Sequence, residues 1–401
     1  MSTDTVAPQA RAARAGVAAV FLTNGALYAN LVPRFPRVKA DLGLSNAELG
    51  AAIAAMPAGA LVAGLFASAV ITRLRSGRVA AYGIVLLALA VLSVSVAPNW
   101  FAFAGAMFLA GALDAVVDVA QNAHGLRVQR LYGRSIVNSF HGLWSVGAVL
   151  GGLMGSAAAG LGTSLPVHLG VSAALFCAVA LVAGRFLLPG DDQAERAETA
   201  AGPGRWTAPA LRVVLVLGVL ACCGAVIEDA GASWGALYLS GELGAGAAAA
   251  GLAFVALQTA MTAGRLLGDR VVDRFGQRRV VRCGGALAAV GMGAALALPS
   301  TALTLVGFAL AGLGTAVLVP AAMHSADEVP GLAPGAGLTV VSWVLRIGFL
   351  ASAPLVGLVA DAASLRVGLL GVVLAGVLTL VLGRVLVTRV LPSRQEPLRD
   401  S

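Results

Sequence analysis

Long runs of apolar residues fill most of the chain, and proline, glycine or charged residues bound each run. A helix that crosses a bilayer needs about 20 mostly apolar residues to span ~30 Å of hydrocarbon. Such runs predict twelve membrane-spanning segments, at 15–33, 47–71, 79–97, 100–124, 136–160, 167–188, 210–239, 247–268, 280–298, 302–323, 337–360 and 367–390. The pattern therefore predicts an all-α membrane protein with little room for a domain outside the membrane.

A polar stretch divides the twelve segments into two sets of six. Residues 190–209 are first acidic and then rich in glycine and proline, which is typical of a flexible linker. We therefore predict an N-terminal six-helix bundle at 1–189, a cytoplasmic linker at 190–209 and a C-terminal six-helix bundle at 210–401.

The two halves match each other when the sequence is shifted by 201 residues. The matched positions carry the same residue type in both halves, and they are Gly50 with Gly251, Arg73 with Arg274, Arg78 with Arg279, Pro98 with Pro299, Gly111 with Gly312 and Gly147 with Gly348. Together they span five predicted helices without a gap, which argues for an internal duplication. Because each half has an even number of segments, the two repeats are expected to be parallel, related by a pseudo-two-fold axis.

Composition and charge exclude an ordinary soluble protein. Apolar residues make up 59% of the 401 residues and charged residues 11%, whereas soluble domains average about 45–50% and about 25%. A net charge of +8 would suggest nucleic-acid binding in a soluble domain. Here the arginines lie between apolar runs, and their distribution predicts that the N- and C-termini are both cytoplasmic. We expect no nucleic-acid partner.

The residue patterns that mark metal sites and nucleotide sites are missing. The four cysteines lie in or beside apolar segments without C-x-x-C spacing, at Cys177, Cys222, Cys223 and Cys283. Neither an H-E-x-x-H sequence nor a phosphate-binding G-x-x-x-x-G-K-[ST] loop occurs. We therefore expect no metal and no cofactor, neither an intramembrane enzyme nor an ATP-driven pump.

The loop between the eighth and ninth segments carries a charged motif. It reads Asp273-Arg274-Phe275-Gly276-Gln277-Arg278-Arg279 and follows Asp269 by four residues. Charged residues at helix ends can pair with each other and with helix ends of the opposite half, and such pairs would hold a gate closed. The predicted gate residues combine acids with arginines, and they are Asp269, Asp273, Arg274, Arg278 and Arg73. The alternative, ordinary positive charge on the cytoplasmic side, explains the arginines but not Asp273 and Gly276.

This loop resembles the D-R-x-G-x-R-R loop of the major facilitator superfamily, and the resemblance extends over essentially the whole chain. Further short motifs are similar to those of its fucose-permease-like group, and they are Arg34-Phe35-Pro36, Leu42-Gly43-Leu44-Ser45, Asp118-x-x-x-Asn122-x-x-Gly125, His141-Gly142-x-Trp144-Ser145-x-Gly147 and Glu228 with Trp234. The resemblance implies a transporter of the inner membrane that works by alternating access. The group usually shows E-G-x-x-x-D-W, where this chain has Asp229 and Ser233, and a tyrosine where this chain has Arg346.

Glycines recur at close spacing on the fifth segment. The motif Gly147-x-x-x-Gly151-Gly152-x-x-Gly155 is similar to one found in drug/proton antiporters, although Gly152 stands where those proteins have proline. Small residues at this spacing let helices approach closely. We interpret the motif as a packing surface, with the antiporter signature as the alternative.

Two acids on the fourth segment are candidates for proton coupling. Asp114 and Asp118 lie one helical turn apart and share a face, which Gln121, Asn122 and then His124 continue. Two carboxylates this close repel each other when both are ionised, so one is expected to hold a proton. An acid at the Asp118 position is common to the resembling group. A structural hydrogen bond to a neighbouring helix is the alternative role.

Charged residues inside the seventh and eleventh segments complete the candidates for coupling and binding. Glu228 matches the acid of the group and is expected to point inward, whereas Asp229 points about 100° away, towards a neighbouring helix or the outer vestibule. Arg346 lies mid-span and needs a counter-charge. We expect Asp118, Asp114 or Glu228, or an anionic group of a substrate, to supply this counter-charge. The alternative to a functional role is a static ion pair within the protein.

The remaining candidates are polar and aromatic side chains that could contact a solute. They lie on the first, fourth, fifth and seventh segments, and they are Asn24, Tyr28, Asn122, His141, Trp144 and Trp234. Together with Glu228 and Arg346 they predict a substrate site for a small polar solute. Alternatives for individual residues are interfacial anchoring for Tyr28 and Trp234, and a gate or packing role for His141.

Three functional classes compete for these residues. The first is a secondary transporter with rocking halves, driven by a proton gradient and expected to be a monomer in the lipid bilayer. Export of drugs or metabolites by the same mechanism is its alternative. An intramembrane enzyme is the second class, and a non-transporting receptor derived from a transporter is the third. The retained Asp118 and Glu228 favour the first.

Overall fold

A computed structural model describes residues 8–133, 135–190, 206–333 and 335–386, and the chain within these ranges is helical. Twelve of its helices are long and apolar enough to cross a membrane. We name them in chain order, and they are α1 Pro8–Leu42, α2 Asn46–Gly64, α3 Ser76–Val96, α4 Trp100–Tyr132, α5 Val137–Gly160, α6 Leu165–Gly184, α7 Ala208–Glu242, α8 Ala247–Phe275, α9 Gln277–Ala297, α10 Thr301–Asp327, α11 Ala336–Ala362 and α12 Leu365–Val385.

Each predicted segment corresponds to one of these helices, so the prediction of twelve spans is confirmed. Several helices extend beyond the predicted apolar run, among them α1, α4 and α8. Residues 191–205 of the proposed linker at 190–209 lie outside the described residues. The division into bundles at 1–189 and 210–401 stays a prediction.

Local sequence explains where the helices begin. Ser45 caps α2, since its hydroxyl accepts a hydrogen bond from the backbone of Glu48 while the Glu48 side chain accepts one from the backbone of Ser45. The side chains of Asn99 and Ser300 cap α4 and α10, each accepting from the backbone N–H three residues later. The helices α2, α4 and α10 therefore each begin directly after a residue whose side chain caps their first turn.

Connections between successive membrane helices alternate between two faces of the protein. We call the face where α1 begins and α12 ends the terminal face, and the other one the opposite face. The α2–α3, α4–α5, α8–α9 and α10–α11 connections lie on the terminal face, and a short helix at Ala67–Leu74 forms part of the first of these. The connections on the opposite face are short.

Glycines 201 residues apart make equivalent contacts in the two halves, which confirms the internal repeat. Gly111 of α4 packs on the backbone of Met56 in α2, and Gly312 of α10 packs on the backbone of Leu257 in α8. Met56 and Leu257 are themselves 201 residues apart. The fold is thus two six-helix units related by a parallel pseudo-two-fold repeat.

The glycine motif of α5 is a packing surface, as predicted. Gly147, Gly151 and Gly155 lie against the backbone of α1 at successive turns, where a Cβ would collide with a carbonyl oxygen. Gly152 faces the other way and meets the ring of Phe254 on α8, in the C-terminal half. The helix α5 therefore packs on α1 within its own half and on α8 of the other half.

The two halves meet closely on the opposite face. There α2 packs on α11, with Gly50 against the backbone of Ala353, and α5 packs on α8, with Gly251 against Ser156 and Pro33. A three-residue turn of tighter helix at Val32–Arg34 interrupts α1 beside this contact. Close packing between the halves therefore seals the protein on this side.

Candidate functional site

A cavity of about 350 Å³ lies between the two halves, at mid-height of the helices. Both halves supply its wall, and its polar or charged lining residues, with one aromatic indole, are Asn24, Tyr28, Asp114, Trp144, Glu228, Asp229, Gln258 and Arg346. Met56, Phe254 and Phe349 supply apolar surface. Such a mixture, an apolar wall with a few convergent polar groups, is typical of a site for a small molecule.

A second space continues from this cavity towards the terminal face. It is a groove of about 530 Å³ between α2, α4 and α11, and it shares Ala60, Asp114 and Arg346 with the cavity. Asp118 and Trp343 line it closer to the terminal face. The central cavity is therefore reached from the terminal face, while helix packing closes the opposite face.

A fixed chain of hydrogen bonds orients Asp114 in the cavity. The indole N–H of Trp144 donates to Oδ1 of Asn24 at 2.9 Å, and the amide Nδ2 of Asn24 donates to Oδ1 of Asp114 at 2.7 Å. Because indole nitrogen can only donate, it determines which end of the Asn24 amide faces Asp114. The second oxygen of Asp114 makes no hydrogen bond within the described residues.

The polar stripe predicted on α4 continues this chain towards the terminal face. Gln121 donates to Asn24 at 3.4 Å and to Oδ1 of Asp118 at 3.2 Å. Asn122 also donates to the Asp118 carboxylate, at 3.1 Å, and its oxygen lies 3.0 Å from Nε2 of His141. A connected row of polar groups therefore runs from Asp114 through Asp118 to an exposed histidine.

His124 does not belong to this stripe, which corrects the expectation from the sequence. Its Nε2 accepts a hydrogen bond from the backbone of Leu188 at 3.0 Å, and Nδ1 lies 2.9 Å from the hydroxyl of Ser76. Six residues beyond Asp118, the helix has turned His124 into the interior of the N-terminal half. The residue joins α3, α4 and the segment that follows α6.

The acids of α7 both line the cavity. Glu228 lies 3.7 Å from Arg265 of α8, with its side chain one-quarter exposed. Asp229 accepts a 2.6 Å hydrogen bond from Ser233, and its other oxygen is buried without a partner among the described residues. We expected Asp229 to turn away from the cavity. That expectation is wrong, and a wider helical turn at Ala230–Trp234 follows directly.

Arg346 lines both the cavity and the groove, and its side chain is exposed there. Within the described residues, none of the predicted partners Asp114, Asp118 and Glu228 lies within ion-pair distance of its guanidinium. A static ion pair with one of these acids, the alternative to a functional role, is therefore not formed in this state. An exposed guanidinium facing a cavity between the halves is a group that can bind an anion.

Trp234 does not line the cavity. Its ring is fully buried in the C-terminal half, and its indole nitrogen has no hydrogen-bond partner in the described part of the chain. The wide turn Ala230–Trp234 changes the direction of side chains relative to a regular helix. The contact with solute that the resemblance suggested is therefore not available to this residue in this state.

The predicted gate residues all lie on the terminal face, but the structure does not bring them together. Arg73, Asp269, Asp273 and Arg274 are exposed, and no ion pair joins them within the described residues. Arg278 donates to the backbone oxygen of Leu386 at 2.8 Å, in its own half. A latch across the terminal face is thus not formed in this state, in which that face opens to the groove.

One sequence pattern in α7 looks like that of a serine hydrolase but lacks its geometry. Residues 231–235 read Gly-Ala-Ser-Trp-Gly, a G-x-S-x-G sequence. In hydrolases this pattern forms a sharp strand-to-helix turn with the serine exposed. Here Ser233 is buried within a helix and donates to Asp229, so the pattern does not build a nucleophile.

Sequence reasoning missed one polar residue of the site. Gln258 on α8 lines the cavity, is 2% exposed, and its amide nitrogen has no hydrogen-bond partner among the described residues. The signal was present in the sequence, since an amide inside an apolar helix must find a polar partner or a solute.

Comparison with known proteins agrees with this architecture. The family model of the Major Facilitator Superfamily matches residues 17–237 and 216–400. The chain is 33% identical over 370 residues to the membrane protein MosC of Rhizobium meliloti, and the match covers 90% of this chain and 87% of that protein.

Solved structures share the fold at low sequence identity. The nucleoside transporter NupG superposes with a TM-score of 0.69 at 13% identity, covering 94% of this chain and 98% of the other. The transporter FucP in its outward conformation gives 0.58 at 17% identity, covering 92% and 97%. Both likenesses concern the fold. With two family matches that together cover nearly all of the sequence, the chain belongs to the major facilitator superfamily, and it is a multi-pass membrane transporter rather than an enzyme.

Proposed function

We propose that the protein is a proton-coupled secondary transporter that moves a small polar solute by alternating access. The observation that carries the proposal is Asp114, a carboxylate held by Asn24 in a cavity between two repeated halves. A carboxylate in such a site can take up a proton when the cavity opens to one side and release it when the cavity opens to the other.

Its surroundings favour Asp114 as the principal coupling residue. Asp114 lies inside the cavity, whereas Asp118 is exposed in the groove nearer the terminal face. Through Gln121, Asn122 and His141 the two acids are connected to that face by hydrogen bonds. In this proposal Asp118 relays protons between solvent and Asp114, and Glu228 is the third acid of the site.

The solute is proposed to bind between Arg346 and the polar groups of the N-terminal half. Arg346 offers a cation, and Asn24, Tyr28 and Trp144 offer polar and aromatic surface on the facing wall. Gln258, with a buried amide nitrogen that has no partner in the described chain, supplies a donor from α8. A polar solute with an anionic group would match this set of charges.

The terminal face is proposed to be cytoplasmic, in the inner membrane. Arginines concentrate there, in the α2–α3, α4–α5 and α8–α9 connections, and positive loops are retained in the cytoplasm. In this orientation the described state opens inward. The gate residues Asp269, Asp273, Arg274, Arg278 and Arg73 would then approach one another when the cytoplasmic side closes.

A solute screen followed by flux measurement tests the proposal. Thermal-shift screening of purified protein against a library of polar solutes identifies binders, and repeating it with Arg346→Ala separates those that use the guanidinium. Proteoliposomes then measure whether an imposed pH gradient drives uptake of the solute that binds. Uptake that ignores the gradient would contradict proton coupling, and the absence of any uptake would favour a receptor.

A further inference from the structure

A carboxylate of the C-terminal half binds the first turn of a helix in the N-terminal half. Oδ1 of Asp361, near the end of α11, accepts a hydrogen bond from the backbone N–H of Asn46 at 2.9 Å, and Oδ2 accepts one from Ala47 at 2.8 Å. Both bonds cross between the halves on the opposite face. The contact lies on the far side of the molecule from the gate residues predicted from the sequence.

The contact completes the capping of α2. The first N–H groups of any helix have no partner inside the helix and need one from elsewhere. Ser45 supplies an acceptor for the third N–H, that of Glu48, at 3.1 Å. Asp361 supplies acceptors for the first two, and its negative charge lies at the positive end of the α2 dipole.

The bonds can form only while α2 and α11 are in close contact. Gly357, one turn before Asp361, lies so near the backbone of Asn46 that a Cβ would overlap it. Further along the same pair of helices, Gly50 packs on the backbone of Ala353. If the halves separated on this face, the N–H groups of Asn46 and Ala47 would pass to water.

The repeat-related contact, between α5 and α8, has no carboxylate. A shift of 201 residues relates Asp361 to Gly160 at the end of α5, and Ala47 to Ala248 at the start of α8. Gly160 indeed packs on Ala248, so the helices meet in the same way. Because glycine has no side chain, this contact supplies packing alone, and the charged one is confined to α2 and α11.

We propose that Asp361 is a positioning residue that holds the opposite face closed and so sets the balance between the two access states. The proposal rests on the alternating-access function proposed above. Asp361 contributes its two bonds to the state closed on the opposite face and loses them in the other state. A group that binds both states equally does not change the equilibrium between them, whereas Asp361 binds α2 in one state only.

Thiol labelling of a cavity residue from each side of the membrane tests this role. Ala60 lines both the cavity and the groove, so Ala60→Cys reports access to the site. The background lacks the four native cysteines, Cys177, Cys222, Cys223 and Cys283. A membrane-impermeant maleimide is added to intact cells or to inside-out vesicles, and the labelling rate is measured for each.

Asp361→Asn should raise the labelling rate from the opposite face about fivefold, the effect of losing about 1 kcal/mol of hydrogen bonding, and should lower the rate from the terminal face. Asp361→Glu keeps the carboxylate and should restore part of the difference. Asp41→Asn is the matched control, since Asp41 is an exposed acid on the same face that pairs with Arg37 of its own helix. It should label like the parent protein.

A labelling rate that rises from the opposite face and falls from the terminal face indicates a shift between the two access states. A loosened fold would raise the rate from both faces. Rates for Asp361→Asn that equal the parent, or that rise from both faces alike, would overturn the proposal. The labelling needs no solute, so its result is independent of transport. Shifted labelling without any flux would leave the role of Asp361 standing and refute the proposed function, whereas unchanged labelling with gradient-driven flux would refute only the role of Asp361.

Discussion

Asn24 donates a 2.7 Å hydrogen bond to Asp114, from α1 to α4, and this bond sets the carboxylate at the wall of the central cavity. The amide can do so because Trp144 occupies its oxygen. One oxygen of Asp114 is thereby committed to Asn24, while the other makes no hydrogen bond within the described residues. A proton or a solute group can therefore bind the second oxygen without breaking the first bond.

Replacing Trp144 tests whether the fixed orientation of the Asn24 amide contributes to solute binding. Trp144→Phe keeps an aromatic ring at the cavity but removes the N–H donor, so the Asn24 oxygen loses a partner. A lost hydrogen bond of this kind costs about 1–3 kcal/mol, and we expect solute affinity to fall roughly 5- to 150-fold. Isothermal titration with the solute found by screening measures the change. Wild-type affinity in Trp144→Phe would contradict a positioning role for the indole N–H.

We expect Asp118 to affect the rate of solute uptake and not the coupling of solute to protons. It is exposed in the groove, and its partners Gln121 and Asn122 remain when Asp118→Asn removes the charge. We predict slower uptake under a pH gradient but an unchanged final accumulation ratio. Proteoliposome time courses measure both quantities. Loss of the accumulation ratio itself would make Asp118 the coupling residue, as the sequence first suggested.

Arg346 is expected to select for a negative charge on the solute. Arg346→Lys keeps a cation but loses the planar pair of donors that matches a carboxylate or phosphate, whereas Arg346→Ala removes the charge. We predict that affinity falls in the order wild type, lysine, alanine for an anionic solute, and that it stays level for a neutral analogue. Thermal-shift titrations provide the comparison. Equal losses of affinity for both solutes would mean that Arg346 does not distinguish an anionic solute from a neutral one.

Two glycines on the same helix allow a matched test of packing. A Cβ at Gly111 would overlap the backbone of Met56, whereas a Cβ at Gly105 meets open space. Gly111→Ala should destabilise the fold by about 1–3 kcal/mol through overpacking. Gly105→Ala should be neutral or stabilising by up to ~1 kcal/mol, because alanine favours a helix. Thermal unfolding in detergent checks both, and equal Tm values would contradict the close approach of α2 and α4.

Apolar runs and the internal repeat were enough to predict the fold. Each apolar run became one helix, and the repeat at Gly111 and Gly312 reappears as the same contact in both halves. These features depend on residues within one helix, or on identical residues at one fixed offset. The candidates Asn24, Tyr28, Asp114 and Trp144 were found for the same reason, since each is polar or aromatic at a helix position that faces inward.

Other features depend on contacts between distant parts of the chain or on departures from regular helix. Asp361 looked like an ordinary acid near a helix end, because nothing local indicates that Asn46 lies beside it. Trp234 was predicted to contact solute from its place in the family motif on α7, whereas its ring is buried at the end of the wide turn Ala230–Trp234. The partners of Arg346 were inferred from charge alone, whereas a pair also requires the halves to bring the groups within reach.

Solute-driven proton movement tests the central claim most directly. Proteoliposomes loaded with a pH-sensitive dye contain either the wild-type protein or Asp114→Asn, and the solute identified by screening is added outside without any imposed gradient. We predict that the solute moves protons across the membrane with wild-type protein, and that Asp114→Asn still exchanges labelled solute but moves no protons. Solute transport without proton movement in the wild type, or unchanged proton movement in Asp114→Asn, would contradict the account.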